Sequence, residues 1–209
     1  MRRFLLADDH SVVRLGLKQI LLEGFPSAEI LEASDAEAVI ERVSSEKLDI
    51  VISDISMPGR SGLEILSQIR TIQPGLPVLM LSVYPEDQYA ARVLKAGASG
   101  YLNKDSPPDE LIRAVNAILF GKRYITAAVA EKLAETLDKG GDKLPHEYLS
   151  NREFQVLKLL GSGTAVSEIA RRLSLNITTI STYRSRIFKK MSLDCNANLT
   201  MYVAEHKLI

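Results

Sequence analysis

Over the first 121 positions of this chain, apolar residues fall in short, regularly spaced runs. Arg3-Phe4-Leu5-Leu6-Ala7 is strand-length and stops at Asp8-Asp9. Val12, Val13, Leu15, Leu17, Ile20, Leu21 and Leu22 then recur at helical spacing. Residues 28–33 predict a second strand, 35–45 a helix, and 48–53 a buried strand closed by Asp54. Leu63, Ile65, Leu66 and Ile69 lay an apolar face along a helix over 62–72. A strand over 77–81, a helix over 85–95 and a strand over 99–102 follow. Pro107-Pro108 can open a further helix, because a proline there removes no internal hydrogen bond; it runs to Phe120, where Gly121 can cap it. Strands alternating with helices predict an α/β fold, a doubly wound five-stranded parallel sheet covered on both faces.

The pattern changes after residue 121. Residues 122–147 read as a linker, helical over Ala127 to Leu137 and polar and glycine-containing over Lys139-Gly140-Gly141-Asp142-Lys143. Every later segment is short and helical: Arg152–Leu160, Ser167–Leu173, Thr178–Met191 and Ala197–Lys207. Ser150 and Glu153 have the spacing of a capping box. The expected organisation is an α/β domain over 1–121, a partly helical linker over 122–147, and a smaller all-α domain over 148–209. Within the latter, Ser174-Leu175-Asn176-Ile177 is a turn tight enough to make a helix-turn-helix.

Composition narrows the class. The chain is 46% hydrophobic and 25% charged, an ordinary globular balance. No apolar run approaches the roughly 18 residues of a membrane span, so no membrane association is expected. The first apolar run meets two acids too early for a secretory leader, and a cytoplasmic location is expected. The single Cys195 excludes an internal disulfide and a multi-cysteine metal site, and reads as a small loop or core residue. A net charge of zero conceals an asymmetry. Residues 1–121 hold 12 Lys+Arg against 17 Asp+Glu, and residues 145–209 hold 9 against 5. Six basic residues and no acid lie between Ile169 and Leu193, which points to nucleic acid at the C-terminal end.

Ligands of open parallel sheets bind at the carboxyl ends of the strands. Asp8 and Asp9 fall there after the first strand, and Asp54 after the third. Three acids gathered together repel one another unless a cation sits among them, and hard oxygen ligands of this kind suit Mg²⁺. Ser82 and Lys104 follow the fourth and fifth strands and add a hydroxyl and a point positive charge. These are the parts needed to neutralise a phosphoryl group on a carboxylate. His10, beside the acids, reads as a surface residue, with a metal ligand as the alternative.

The strings LLADDH, DIVISDISMPGRSGLEIL, PVLMLS and KAGASGYLNKD, in that order, resemble the receiver domain of two-component response regulators. The resemblance implies a flavodoxin-like fold in which Asp54 accepts a phosphoryl group from a sensor histidine kinase. It also implies that Asp8, Asp9, Asp54 and the main-chain carbonyl of Ser56 hold Mg²⁺. Ser82 and Lys104 would contact the phosphoryl oxygens, Tyr101 would be the aromatic switch, and Pro58 and Gly59 would shape the adjoining loop. Serine stands at 82 where threonine is commoner, and Asp105 where many receivers carry proline. An aspartate-nucleophile phosphatase is the alternative enzymatic reading, but it would normally carry an acid at position 56, where this chain has serine. A phosphorylation-independent DNA-binding regulator is the other alternative.

Residues 149–209 resemble the LuxR-type helix-turn-helix of NarL/FixJ response regulators. Ile180, Ile187 and Met191 share one face of the helix from Thr178 to Met191, leaving small hydroxyls and cations on the other. By resemblance this is the recognition helix. Ser181, Thr182 and Ser185 would face bases, and Thr178, Thr179, Tyr183, Arg186, Lys189 and Lys190 would lie near them or the phosphate backbone. The resemblance implies a transcription regulator that binds double-stranded DNA, dimerises when phosphorylated and works with RNA polymerase. Leu199, Tyr202 and Val203 on the last helix either pair two domains or fill their own core.

Overall fold

In a computed structural model of the chain, residues 1–57, 60–84, 86–127, 129–131 and 144–209 are described. Five strands, β1 (Arg3–Ala7), β2 (Glu29–Ala33), β3 (Ile50–Asp54), β4 (Val78–Ser82) and β5 (Gly100–Asn103), form one parallel sheet in the order β2-β1-β3-β4-β5. They alternate with α1 (Ser11–Gly24), α2 (Ala36–Ser45), α3 (Gly62–Ile72), α4 (Glu86–Lys95) and α5 (Pro108–Leu119). β3 and β4 are buried at every position, which is why their sequences are apolar without alternation. One face of the sheet meets α1 and α5 through Phe4, Leu6, Ile50, Ile52, Leu79, Leu81, Leu111 and Val115. Phe25, at the end of α1, sets its ring edge-on to Phe4 at 5.2 Å.

The α/β expectation holds, with strand ends displaced by one or two residues. β3 begins at Ile50, not Leu48, because the Asp49 carboxylate instead accepts from the Arg3 backbone N–H at 2.7 Å. Asp54 and Ser82 are consequently the last residues of their strands. Helix starts follow local chemistry. Asp35 caps α2 by accepting from Ala38 N at 2.9 Å, and Ser61 with Glu64 closes a capping box on α3. Pro108 occupies the first turn of α5.

The chain divides into two compact units, Met1–Lys139 and Gly140–Ile209. In the second, a 3₁₀ turn (Pro145–Tyr148) leads into α6 (Asn151–Gly161), α7 (Val166–Arg172), α8 (Ile177–Met191) and α9 (Asn196–Glu205). Phe154, Leu157, Ile169, Ile180, Ile187, Leu199 and Val203 are buried there. Leu199 and Val203 thus fill their own unit's core, while Tyr202 Oη lies 2.8 Å from His146 Nδ1 on the 3₁₀ turn. Cys195 is exposed at the N-terminal boundary of α9. Of the anticipated linker helix, residues 127 and 129–131 are helical; its remainder, and the polar stretch 139–143, lie outside the described residues.

Gly62 has no room for a side chain. A Cβ there would stand 2.7 Å from both Asp54 O and Ile55 Cα. Gly62→Ala must therefore push the end of β3, and is expected to cost about 1–3 kcal/mol in chemical denaturation.

Candidate phosphorylation site and nucleic-acid interface

Parallel pairing in register brings the carboxyl ends of β1, β3, β4 and β5 to one edge of the sheet. The strand order reverses between β1 and β3, the place where such sheets open a crevice. Asp8 follows β1 and is fully buried; Asp54 ends β3 and is 4% exposed. Lys104 follows β5 and joins them, its Nζ 2.6 Å from Asp8 Oδ2 and 2.7 Å from Asp54 Oδ2. Its own backbone N–H donates to Ser82 O at 2.8 Å, which fixes where the side chain starts. Ligating atoms of Asp8, Asp9, His10 and Asp54 all lie within 4.8 Å of one another.

Electrostatics in this pocket pull in opposite directions. Burial raises the Asp54 carboxyl above the ordinary aspartate range, against the pull of Lys104 and the Ser56 backbone. Burial alone would lower the Lys104 ammonium, yet Asp54 and Asp8 hold it above its ordinary value. The lysine therefore stays charged between two acids. Asp9 Oδ1 is shielded from water and accepts no well-formed hydrogen bond, although His10 Nδ1 is 2.8 Å away. The His10 side chain itself is 68% exposed. Three carboxylates, one with a buried oxygen that lacks a well-formed hydrogen bond, fit a hard divalent cation, and a His10 ring nitrogen lies within the same cluster.

Ser82 is buried, and its Oγ accepts from Tyr84 N at 3.0 Å. The Tyr101 ring is also buried, and its Oη donates to Tyr84 O at 2.7 Å. Serine and tyrosine thus meet through the main chain of Tyr84, a residue that carries no signal of its own along the chain. Arg14 was also unforeseen; its guanidinium donates to Asp8 O at 2.6 Å and pairs with Glu32 at 2.9 Å. Its sequence signal is a charge inside an apolar helical pattern, one that Lys18 and Glu23 share. Ser56 lies beside Asp54 with a buried Oγ that has no hydrogen-bond partner among the described residues. Pro58 and Gly59 lie outside the described residues.

On α8, Ile180, Ile187 and Met191 face the core. Ser181, Thr182, Ser185, Arg186, Lys189 and Lys190 are exposed. Thr178, Thr179, Thr182, Tyr183 and Arg186 line a shallow open depression. The six cations are not equivalent. Arg171 and Arg172 pair with Glu168 at 2.6 and 2.9 Å, and Lys190 lies 2.6 Å from the buried Glu153. Arg184 lies over the Phe188 ring. Among the described residues, Arg186 and Lys189 make no ion pair. The acid-free run is thus partly neutralised: Glu168, immediately before it, holds Arg171 and Arg172 within one helix, whereas the pairing of Lys190 with Glu153 is a correction only tertiary contacts could supply.

A doubly wound sheet with an acid-lysine pocket, joined to a helix-turn-helix unit, defines a receiver coupled to a DNA-binding domain. Residues 4–116 match the response regulator receiver domain, and residues 147–203 match the bacterial regulatory proteins of the luxR family. Response regulator UvrY of Escherichia coli (strain K12) is 34% identical over 209 residues, covering 100% of this chain and 96% of that protein. Response regulator GacA of Pseudomonas aeruginosa is 30% identical over 210 residues, covering 100% and 98%. RcsB from Salmonella enterica serovar Typhimurium, solved bound to promoter rprA with the phosphomimetic BeF3-, superposes with a TM-score of 0.64 at 27% identity, covering 98% and 99%. The chain belongs to the response regulators that join a receiver domain to a LuxR-type DNA-binding domain.

Lys104→Met would leave two buried carboxylates without their cation. With divalent ions chelated, it is expected to cost about 3–5 kcal/mol near neutral pH in chemical denaturation. A raised folded-state pKa means the fold takes up the Asp54 proton more readily than the unfolded chain does. The contribution of Asp54 to stability therefore falls as pH rises through its folded value, so the loss should shrink on acidification.

Proposed function

We propose that this protein is a phosphorylation-controlled transcription regulator in which Asp54 is the phospho-acceptor. The observation that carries the reading is the Lys104 ammonium within 2.7 Å of Asp54 and 2.6 Å of Asp8 at converging strand ends. An Asp54 carboxylate oxygen forms the new P–O bond as the P–N bond of a sensor kinase's phosphohistidine breaks. Asp8, Asp9, Asp54 and the Ser56 main-chain carbonyl would hold Mg²⁺, which when bound supplies charge neutralisation beside the carboxylate. Lys104 turns from Asp8 towards the phosphoryl oxygens. Ser82 gives up its bond with Tyr84 N to donate to another of those oxygens, and Tyr101 follows into the space released. Phosphorylation shifts the protein between states only by this difference in contacts. Val12 and Leu15, apolar and exposed at the start of α1 just beyond Asp9, supply a surface on which a kinase can dock.

For the C-terminal unit, we infer that α8 enters the DNA major groove. Ser181 Oγ and Thr182 Oγ1 donate back to Ile177 O and Thr178 O at 3.0 and 2.9 Å. With their protons so used, both hydroxyls face outward as acceptors, suited to the amino groups of adenine or cytosine. Thr178, Thr179, Tyr183, Ser185, Arg186 and Lys189 surround them near bases and phosphates. Lys190 reaches a phosphate only by leaving Glu153. Single DNA-binding units bind weakly, so phosphorylation-favoured dimers on paired half-sites would set affinity. Double-stranded DNA, RNA polymerase and a second copy of the chain are the partners of this reading, in the cytoplasm. The domain limits that go with it are 1–121, 122–147 and 148–209, beside family matches over 4–116 and 147–203 and compact units that divide between Lys139 and Gly140.

Asp54→Asn is expected to abolish phosphoryl uptake from a small acyl phosphate, read by intact-protein mass; undiminished uptake would refute the assignment. In DNA titrations over a salt series, Lys189→Ala should reduce the slope of log affinity against log salt by about one. Lys190→Ala should leave that slope unchanged and lower thermal stability instead.

A further inference from the structure

The first unit does not end where its last helix ends. After α5 the chain turns at Gly121, whose φ is +76°, and comes back across the exposed edge of β5. Tyr124 forms a parallel bridge with Gly100. Its N–H donates to Ser99 O at 2.9 Å, and its carbonyl accepts from Tyr101 N at 3.4 Å. The approach is close enough to demand glycine at position 100, where a Cβ would stand 2.9 Å from Tyr124 O. Two side chains then anchor the segment on either side of the strand. The Tyr124 hydroxyl donates to Glu110 in the first turn of α5. The Thr126 hydroxyl donates to Glu86, the first residue of α4. Thr126 O also accepts from Ala130 N at 3.0 Å, beginning the helical turn that continues along the sequence towards the second unit.

These contacts fall on the elements that the Asp54 pocket reaches. Ser82 holds Tyr84 N at 3.0 Å, Tyr84 O receives the Tyr101 hydroxyl at 2.7 Å, and Tyr101 N is bonded to the returning segment. Glu86 lies two residues beyond Tyr84. We propose that residues 122–126 are a strap that transmits the state of Asp54, reading the positions of β5 and α4 and passing them to the chain leading to the DNA-binding unit. The proposal rests on the reading of Asp54 as phospho-acceptor and adds to it the route by which the signal leaves the pocket. A shift of the β5 main chain at Tyr101 or of the first turn of α4 strains or breaks a strap contact, because Tyr101 N is bonded to Tyr124 and Glu86 to Thr126, two residues further along the same segment. A segment serving only to cover an edge strand would need the main-chain bridge but not the two side-chain anchors.

The test uses the full-length double variant Tyr124→Phe/Thr126→Val, which removes both anchoring hydroxyls and keeps their carbon frameworks. Beryllofluoride with Mg²⁺ serves as the phosphoryl mimic, fluorine NMR reports loading of Asp54, and amide exchange reports residues 99–104 and 122–127. Affinity is measured for a duplex selected from a random pool. In the wild type, loading should alter exchange in both segments and raise DNA affinity. The variant should load equally and still respond at 99–104, but lose the response at 122–127. Its gain in DNA affinity should fall about fivefold or more, the low end of measured allosteric couplings. Should the double variant fold poorly, Thr126→Val alone must still diminish the gain. An undiminished gain in a variant that loads normally would overturn the strap and leave it an edge cover. A wild-type protein that fails to load would instead overturn the phospho-acceptor reading, and the strap's role with it.

Discussion

Lys104 Nζ lies 2.6 Å from Asp8 and 2.7 Å from Asp54, at the point where the ends of β1, β3 and β5 converge. Its charge is what allows two carboxylates to be withdrawn from water side by side. The arrangement is held from behind by the sheet: Lys104 N bonds to Ser82 O, and Ile55 N to Leu81 O, so neither the cation nor the acid beside it can drift independently. A bridge satisfied in this way is also a bridge that can be redistributed. The carboxylate it neutralises is raised in pKa by burial, and the pocket retains an unsatisfied oxygen on Asp9. Stability and reactivity are therefore set by the same few contacts.

Around that bridge the structure grades from rigid to adjustable. β3 and β4 are buried throughout and have no freedom to shift without opening the core. At β5 polar contacts join the apolar ones: a tyrosine hydroxyl on a main-chain carbonyl, a glycine passed closely by a returning chain, two hydroxyls on two carboxylates. Hydrogen bonds of this kind can be exchanged at modest net cost, whereas packed apolar side chains cannot. The edge of the sheet farthest from β2 is thus where a change at Asp54 has room to propagate.

The second unit balances order against availability in a comparable way. Glu153 accepts from Ser150 N at 2.7 Å to start α6 and from Lys190 at 2.6 Å to hold the far end of α8. Lys190 and Ser150 together keep its carboxyl below the ordinary glutamate range despite burial. The helix presented to solvent keeps Arg186 and Lys189 unpaired among the described residues, while Arg171, Arg172 and Lys190 are engaged within the unit. Counting cations along the chain therefore overstates the charge offered to a nucleic acid.

Local regularities were legible in the sequence because they are enforced within a few residues. Alternating strand and helix periods, the Ser150 cap, and Pro108 at the start of α5 depend on neighbours close along the chain. So does the apolar face of Ile180, Ile187 and Met191. Asp8, Asp9, Asp54, Ser82 and Lys104 could be assigned to one edge for a related reason, since parallel strands all end on the same side. Strand limits near Asp49 and the engagement of Lys190 escaped because each depends on a partner more than 30 positions away. The return of Tyr124 to Gly100 escaped because the segment lacks any period that would mark it as a strand. The sequence by itself determined which groups would meet at the end of the sheet. Which of them bond, which remain unsatisfied, and where the chain crosses afterwards were decided only by tertiary packing, because hydrogen bonds and ion pairs are chosen by distance in space, not by order along the chain.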